Sequence, residues 1–154
     1  LDALLDQWAN SNTKALIEAS NVPSESIGFA LGNLLAAWVT KDKFDTKLDF
    51  AIRDWARRSG SVRRVLDINE GARLEAIAAM FRRFDYAYSE ADVRARIVYF
   101  TQIGYDIQDT HESWEIRISR GRDYLLCLTG REPTQEEIDF LSSTTYKSLE
   151  KRGL

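Results

Sequence analysis

This sequence predicts an all-α fold: one compact domain of about seven helices spanning 1–154. Three observations predict it. Apolar residues recur at spacings of three and four along nearly the whole chain. No run alternates at period two for long enough to make a strand. Residues that start or stop helices fall between the periodic runs. A chain of 154 residues, 44% of them hydrophobic, buries roughly 70% of its unfolded surface on folding, enough for a core of its own.

A first helix covers about 1–20, with Leu1, Leu4, Leu5, Trp8, Leu16 and Ile17 mostly on one side. Pro23 stops it, and Ser24 is placed to cap the next. The second, about 24–40, is apolar around most of its girth (Ile27, Phe29, Leu31, Leu34, Leu35, Trp38, Val39), as a helix buried on more than one face would be. Asp45 caps a third, about 45–59, whose stripe is Leu48, Ile52, Trp55 and Ala56. Gly60 closes it in a left-handed conformation, and Ser61 opens a fourth, about 61–84, with a bend near Gly71. Ser89 and Asp92 have capping-box spacing for a fifth, about 89–109. A sixth runs over about 112–129 and ends at Gly130. Thr134 with Glu137 opens a seventh that reaches about 152. There is no fixed repeat of roughly 34 residues, which disfavours a helical solenoid. Leu1 already stands in helical register with no cap before it, which reads as entry in mid-helix into a longer polypeptide.

Composition narrows the function. A net charge of −3 is a poor footprint for a chain whose main partner is polyphosphate, because Lys and Arg supply most nucleic-acid affinity. One cysteine, Cys127, excludes an internal disulfide, and one histidine, His111, leaves the common catalytic metal sets incomplete. No apolar run approaches the ~18–20 residues that span a bilayer, and no signal peptide precedes the longest one. No membrane partner is therefore expected, and the cytoplasm is the default compartment.

Chemistry finds little support. His111 lies among Asp106, Asp109, Glu112 and Glu115, but an acidic interhelix loop favouring the next helix N-terminus accounts for the group as well as a metal would. Cys127, inside "DYLLCLTG", reads as a small buried hydrophobe rather than a nucleophile. Phosphate loops, H-E-x-x-H and G-x-S-x-G are missing, so neither catalytic residues, a metal nor a cofactor is expected. Gly28 and Gly32 permit close approach of another helix or room for a guest. Aromatic residues on several helices, with interior polars such as Asn33 and Gln102, fit either a solid core or a small-molecule pocket. The pocket candidates are Phe29, Asn33, Trp55, Met80, Phe84, Tyr99 and Gln102.

Two segments invite a sharper reading. "VRARIVYFTQIGYDI", 93–107, is apolar on two faces: Val93, Ile97, Phe100, Gly104 and Ile107 on one, with Val98, Tyr99, Ile103 and Tyr105 over the rest. A helix apolar on two sides must bury both, and a subunit interface or the chain's own sixth helix would cover the second. "DFAIRDWARRSGSVRRVLD", 49–67, carries five arginines against three aspartates around a Ser-Gly-Ser break, the outline of a helix-turn-helix.

These segments, followed by "LLCLTGREPTQEEI", resemble the C-terminal effector-binding and dimerisation domain of TetR-family transcriptional regulators, from Leu1 to about Glu137. "LDALLDQW" is similar to the helix that connects that domain to the family's DNA-reading module, which lies upstream of it. The resemblance places 49–67 in the effector domain, with Ile52 and Trp55 inward and the arginines on a solvated outer face. Asp106, after "IGY", and the basic "IRISRGR" at 116–122 depart from the pattern.

The resemblance implies a ligand-responsive regulator, in the family's commoner mode a repressor. It implies a homodimer built from the fifth and sixth helices as a four-helix bundle, with Val98, Gln102, Tyr105, Trp114, Ile118, Tyr124 and Leu125 at the interface. A small-molecule effector among the first five helices would tilt the first helix and change the separation of two reading heads. Operator DNA would be held through the missing N-terminal domain alone. Half-sites lie roughly 34–36 Å apart, and a coupling of ~1–3 kcal/mol changes affinity between about 5- and 150-fold. The alternative is a constitutive helical interaction module with a filled core and no ligand.

Overall fold

The computed structural model describes residues 2–108 and 112–150, and among them every regular element is a helix. α1 (Asp2–Trp8) runs through a π turn (Ala9–Thr13) into α2 (Lys14–Ser20), so the first expected helix is one rod with a widened turn. Asn12 in that turn is fully buried. Its amide donates to the Asp45 carbonyl at 2.9 Å and accepts from the Asp45 N–H at 3.0 Å, tying the rod to the residue that caps the helix Thr46–Ala56.

α3 (Ile27–Val39) is capped by Ser26 rather than Ser24: the Ser26 hydroxyl accepts from Phe29 N–H at 3.4 Å and donates to the Glu137 carboxylate. Ser24 instead accepts from the Asn33 amide at 3.2 Å. α3 packs along α9 (Gln135–Glu150), and its glycines face that helix. A Cβ on Gly28 would overlap the Glu137 carboxyl, and one on Gly32 would lie 2.7 Å from the Phe140 ring. Close helix packing, not room for a guest, is what these glycines provide.

Asp45 caps α4 (Thr46–Ala56), accepting from Leu48 N–H at 3.0 Å. Ser59, two residues before the expected Ser61, caps α5 (Gly60–Arg82). Gly60 is thus the first helical residue of α5 and not a left-handed terminator. Among the described residues only Gly130 is a glycine with positive φ, at 69°. α5 runs unbroken through Gly71, where a bend was expected. α6 (Tyr88–Gln108) starts one residue before Ser89, so the expected Ser89–Asp92 box does not open it. The sixth expected helix is two: α7 (Trp114–Ser119), capped by Ser113, and α8 (Gly121–Thr129), joined at Arg120 with φ −91° and ψ 4°. Gly121 at the joint is buried and meets Leu141 of α9, which fixes where α8 begins. Thr134 and Glu137 form the expected box ahead of α9: Glu137 accepts from Thr134 N–H at 2.8 Å, and Thr134 from Glu137 N–H at 3.2 Å.

Two apolar clusters result. The larger joins α2, α3, α5, α6, α8 and α9 around Leu31, Leu34, Ile77, Met80, Phe81 and Tyr99. The smaller sets Leu5 and Trp8 of the first rod against Ile52, Ala56, Val62 and Leu66. No helix of the described residues is long and apolar enough to cross a membrane.

Candidate functional site

α6 turns Val98, Gln102 and Tyr105, spaced by four and three, toward α7 and α8. With Trp114, Ile118 and Tyr124 they line a cleft of about 90 Å³ within the protomer. Six residues expected at a subunit interface therefore meet inside one chain, and the seventh, Leu125, is buried in the main core. The reason is α9, whose Leu141, Ser142 and Thr145 close the far side of the cleft. Tyr105 and Tyr124 join their hydroxyls with rings 6.4 Å apart, and the Arg117 guanidinium lies 4.0 Å over Tyr105 and 4.5 Å over Trp114.

A larger trench, about 550 Å³, adjoins the cleft and shares Val39, Gln102, Tyr105, Trp114 and Arg117 with it. α3 contributes Trp38, α4 contributes Lys47 and Phe50, and α6 contributes Asp106. Asp106 accepts from the Trp38 indole N–H at 3.2 Å and from the Gln102 amide at 3.2 Å. Burial pushes its carboxyl up to about 6; the bonds from Gln102 and Trp38 oppose this, Asp49 adds repulsion and Arg117 attracts. Among the described residues, neither Lys47 nor Arg117 has an acid within ion-pair distance.

Behind the trench lies a buried ionic network. Arg73, fully buried, donates to Asp49 at 3.0 Å, to Thr13 at 3.0 Å and to Tyr99 at 3.3 Å, and its guanidinium rests 4.8 Å over the Trp8 ring. Arg53 donates to Asp49 at 2.9 Å, to Glu70 at 2.9 Å and to Tyr99 at 2.6 Å. The two cations face two acids, the balance a buried ion cluster needs. Burial by itself would raise Asp49, yet Arg73 and Arg53, with the Trp8 and Arg53 hydrogen bonds, hold its carboxyl below the usual range. Burial pushes the Tyr99 hydroxyl up to about 12, against the pull of Arg73 and Arg53. One donor stays unmatched: Arg73 Nη2 has no hydrogen-bond partner. Arg53 thus corrects the expected outward row of arginines; it is drawn inward by acids on both α4 and α5. Arg57, Arg58, Arg63 and Arg64 are exposed as expected, Arg58 paired with Asp54 and Arg63 with Asp67. Ile52 is buried and Trp55 half-buried.

The expected pocket residues do not meet. Phe29 packs edge-on against Phe140, with centroids 5.2 Å apart. Asn33 is bonded to Ser24, Trp55 packs on the smaller cluster, Met80 is sealed in the larger one, and Phe84 rests against it. Tyr99 belongs to the ionic network, and Gln102 alone reaches the trench. α9 fills the space beside Gly28 and Gly32 that a pocket would have used. Trp38, Lys47, Phe50, Asp106 and Arg117 were not in the expected set, although Asp106 and the basic 116–122 stretch stood out in sequence.

Cys127 is exposed rather than buried, because α8 turns Leu125 and Leu128 inward, half-buries Leu126 and leaves Cys127 outside. His111 and Asp109 lie outside the described residues. Glu112 pairs with Arg120 at 2.6 Å, and Glu115 is exposed. No group of three potential metal ligands comes together among the described residues.

The other face of α6 is open. Val93, Ile97, Phe100 and Ile107, in one stripe at helical spacing, are 54, 46, 47 and 40% exposed, with Gly104 between them. No protein-family model matches this chain, and no curated protein or solved structure matches it either.

Proposed function

We propose that this chain is the sensing and dimerising body of a ligand-responsive transcriptional regulator of the TetR type, acting as a repressor. In such a regulator operator DNA is gripped by a separate helix-turn-helix, and the residues described here supply the switch. One observation carries the reading: α6 lines the trench with Gln102, Tyr105 and Asp106 and leaves Val93, Ile97 and Phe100 uncovered on the other face, with Ile107 at the edge between the two. A helix placed so can feel an effector on its inner face while a second copy of the chain packs on its outer one. The interface is therefore assigned to Val93, Ile97 and Phe100.

A continuous set of contacts supports transmission to the first helix. Trp38 bonds Asp106 and lies 5.5 Å from the Tyr99 ring; Tyr99 bonds Arg53 and Arg73, and Asp49 bonds both arginines and the Trp8 indole. Contact alone does not establish coupling. The test has two arms: sedimentation over a wide concentration range, and thermal-shift screening with a chemically mixed library. A chain that stays monomeric at high concentration overturns the dimer, and a library without a stabilising compound overturns the sensor.

A second reading is favoured by the solid packing around Met80 and Tyr99, both fully buried. It is a constitutive helical interaction module, which dimerises yet is stabilised by no small molecule.

A further inference from the structure

Resting on the reading of the trench as an effector site, we infer that it takes a small aromatic carboxylate, the anion paired with Arg117 and the ring set among Phe50, Trp114 and Tyr105. The charges point this way first. Lys47, Asp106 and Arg117 are the charged residues of the lining, two cations to one acid. Among the described residues most arginines already face an acid; Arg83 and Arg131 donate to the carbonyls of Ser20 and Phe84, and Arg57 and Arg64, which face no acid, are exposed to water. Arg117 is different: it is half-buried, held over two rings, and its guanidinium donates to no acceptor among the described residues.

A guanidinium lying over a ring keeps its in-plane N–H edge for an acceptor, and a carboxylate matches that edge with two parallel bonds. The rings that hold Arg117 also border the trench, so a flat apolar body bonded to it would lie against aromatic surface; Phe50, 50% exposed on the opposite wall, extends that surface. A cationic ligand is disfavoured. It would gain Asp106, whose two oxygens already accept from Trp38 and Gln102, but would meet both Lys47 and Arg117. The volume, about 550 Å³, lies within the range of ordinary ligand pockets and fits a one- or two-ring molecule.

Three probes with one ring and different charge test the assignment: naphthylacetate, naphthylacetamide and naphthylethylamine, titrated calorimetrically into the full chain at neutral pH. The acetate is expected to bind at least about tenfold tighter than the amide, the size of a charge-assisted bidentate pair. Arg117→Gln should bring the acetate to within about threefold of the amide, the remainder owed to Lys47, while leaving the amide unchanged. Lys47→Gln, at an exposed position that does not endanger folding, should weaken the acetate by about two- to threefold. An amide or amine that binds as tightly as the acetate overturns the proposal, as does a preference of more than about threefold that survives Arg117→Gln. Absence of acetate binding up to about 10 mM overturns it too. If the amide or amine binds where the acetate does not, the sensor reading stands and the anion assignment alone falls.

Discussion

The indole N–H of Trp8 in α1 donates to Asp49 Oδ1 in α4 at 2.8 Å. The first rod is thus fastened to the body through a buried carboxylate, and that carboxylate is itself shared by Arg73 and Arg53. Apolar contact between Leu5, Trp8 and Ile52 adds area, but the shared charge sets the orientation.

Removing Asp49 should therefore cost far more than removing Trp8's donor. Asp49→Ala leaves Arg73 buried without its acid and is expected to destabilise by about 3–5 kcal/mol. Trp8→Phe deletes one hydrogen bond to a charged group and should cost about 1–3 kcal/mol. Urea unfolding measures both. A double change, Asp49→Leu with Arg73→Met, should cost less than the sum of the single ones, because neither charge is then left alone.

Acid should first stabilise and then destabilise this protein. The folded Asp106 carboxyl, at about 6, lies above its ordinary 3.8, so the stability it contributes is complete below 3.8 and is lost as pH rises through about 6. Asp49 is the reverse case: its folded value is depressed, so its contribution is present above 3.8 and is lost as pH falls through the lower folded value. Between about pH 7 and pH 5 stability should rise by about 1 kcal/mol. Asp106→Asn should flatten that rise in thermal melts and leave the acid limb in place.

Glycines of opposite kinds should respond oppositely to alanine. Gly28→Ala drives a methyl into the Glu137 carboxyl, which caps both α3, through Ser26, and α9; a loss of about 1–3 kcal/mol is expected. Gly71, mid-helix in α5, has open space around its would-be Cβ. Gly71→Ala should gain about 0.5–1 kcal/mol through lower unfolded-state entropy. Equilibrium unfolding of the two variants against the parent decides.

A charge on the α6 stripe should separate the copies without harming the fold. Ile97→Glu and Phe100→Glu alter half-exposed residues, so monomer stability should shift by no more than about 0.5 kcal/mol. On the proposed α6 interface, sedimentation velocity is expected to show the parent as a dimer and each variant as a monomer.

Local chemistry was legible in the sequence, and long-range packing was not. Asp45 and the Thr134–Glu137 pair were recognisable as caps because each closes its hydrogen bonds within three residues. Ser59 and Ser61 are two equally suitable caps around one glycine, and a glycine starts a right-handed helix as readily as it ends one, so the choice was not written locally. Gly121, next to the break at Arg120, packs beside Leu141, far along the chain, and Cys127 is outside because its neighbours Leu125 and Leu128 join the core. The candidate site shows the same division. Asp106 and the 116–122 stretch stood out as polar residues in an apolar pattern, whereas Trp38, Lys47 and Phe50 reach the trench only because α3 and α4 pack beside α6. The filling of the space beside Gly28 and Gly32 was not legible either, because Glu137 and Phe140, which occupy it, come from α9 far along the chain.

The widened turn at Ala9–Thr13 also decides which deletions the rod can absorb. A π turn holds one residue more than the helix around it needs, so the flanking segments already face their partners with a spare link between them. Taking out Ser11, whose side chain is exposed, would close that link into regular spiral and leave Leu5 and Trp8 aimed as before. The same excision from the middle of α5 would swing one half of that helix by about 100° against the other and scatter the faces it presents.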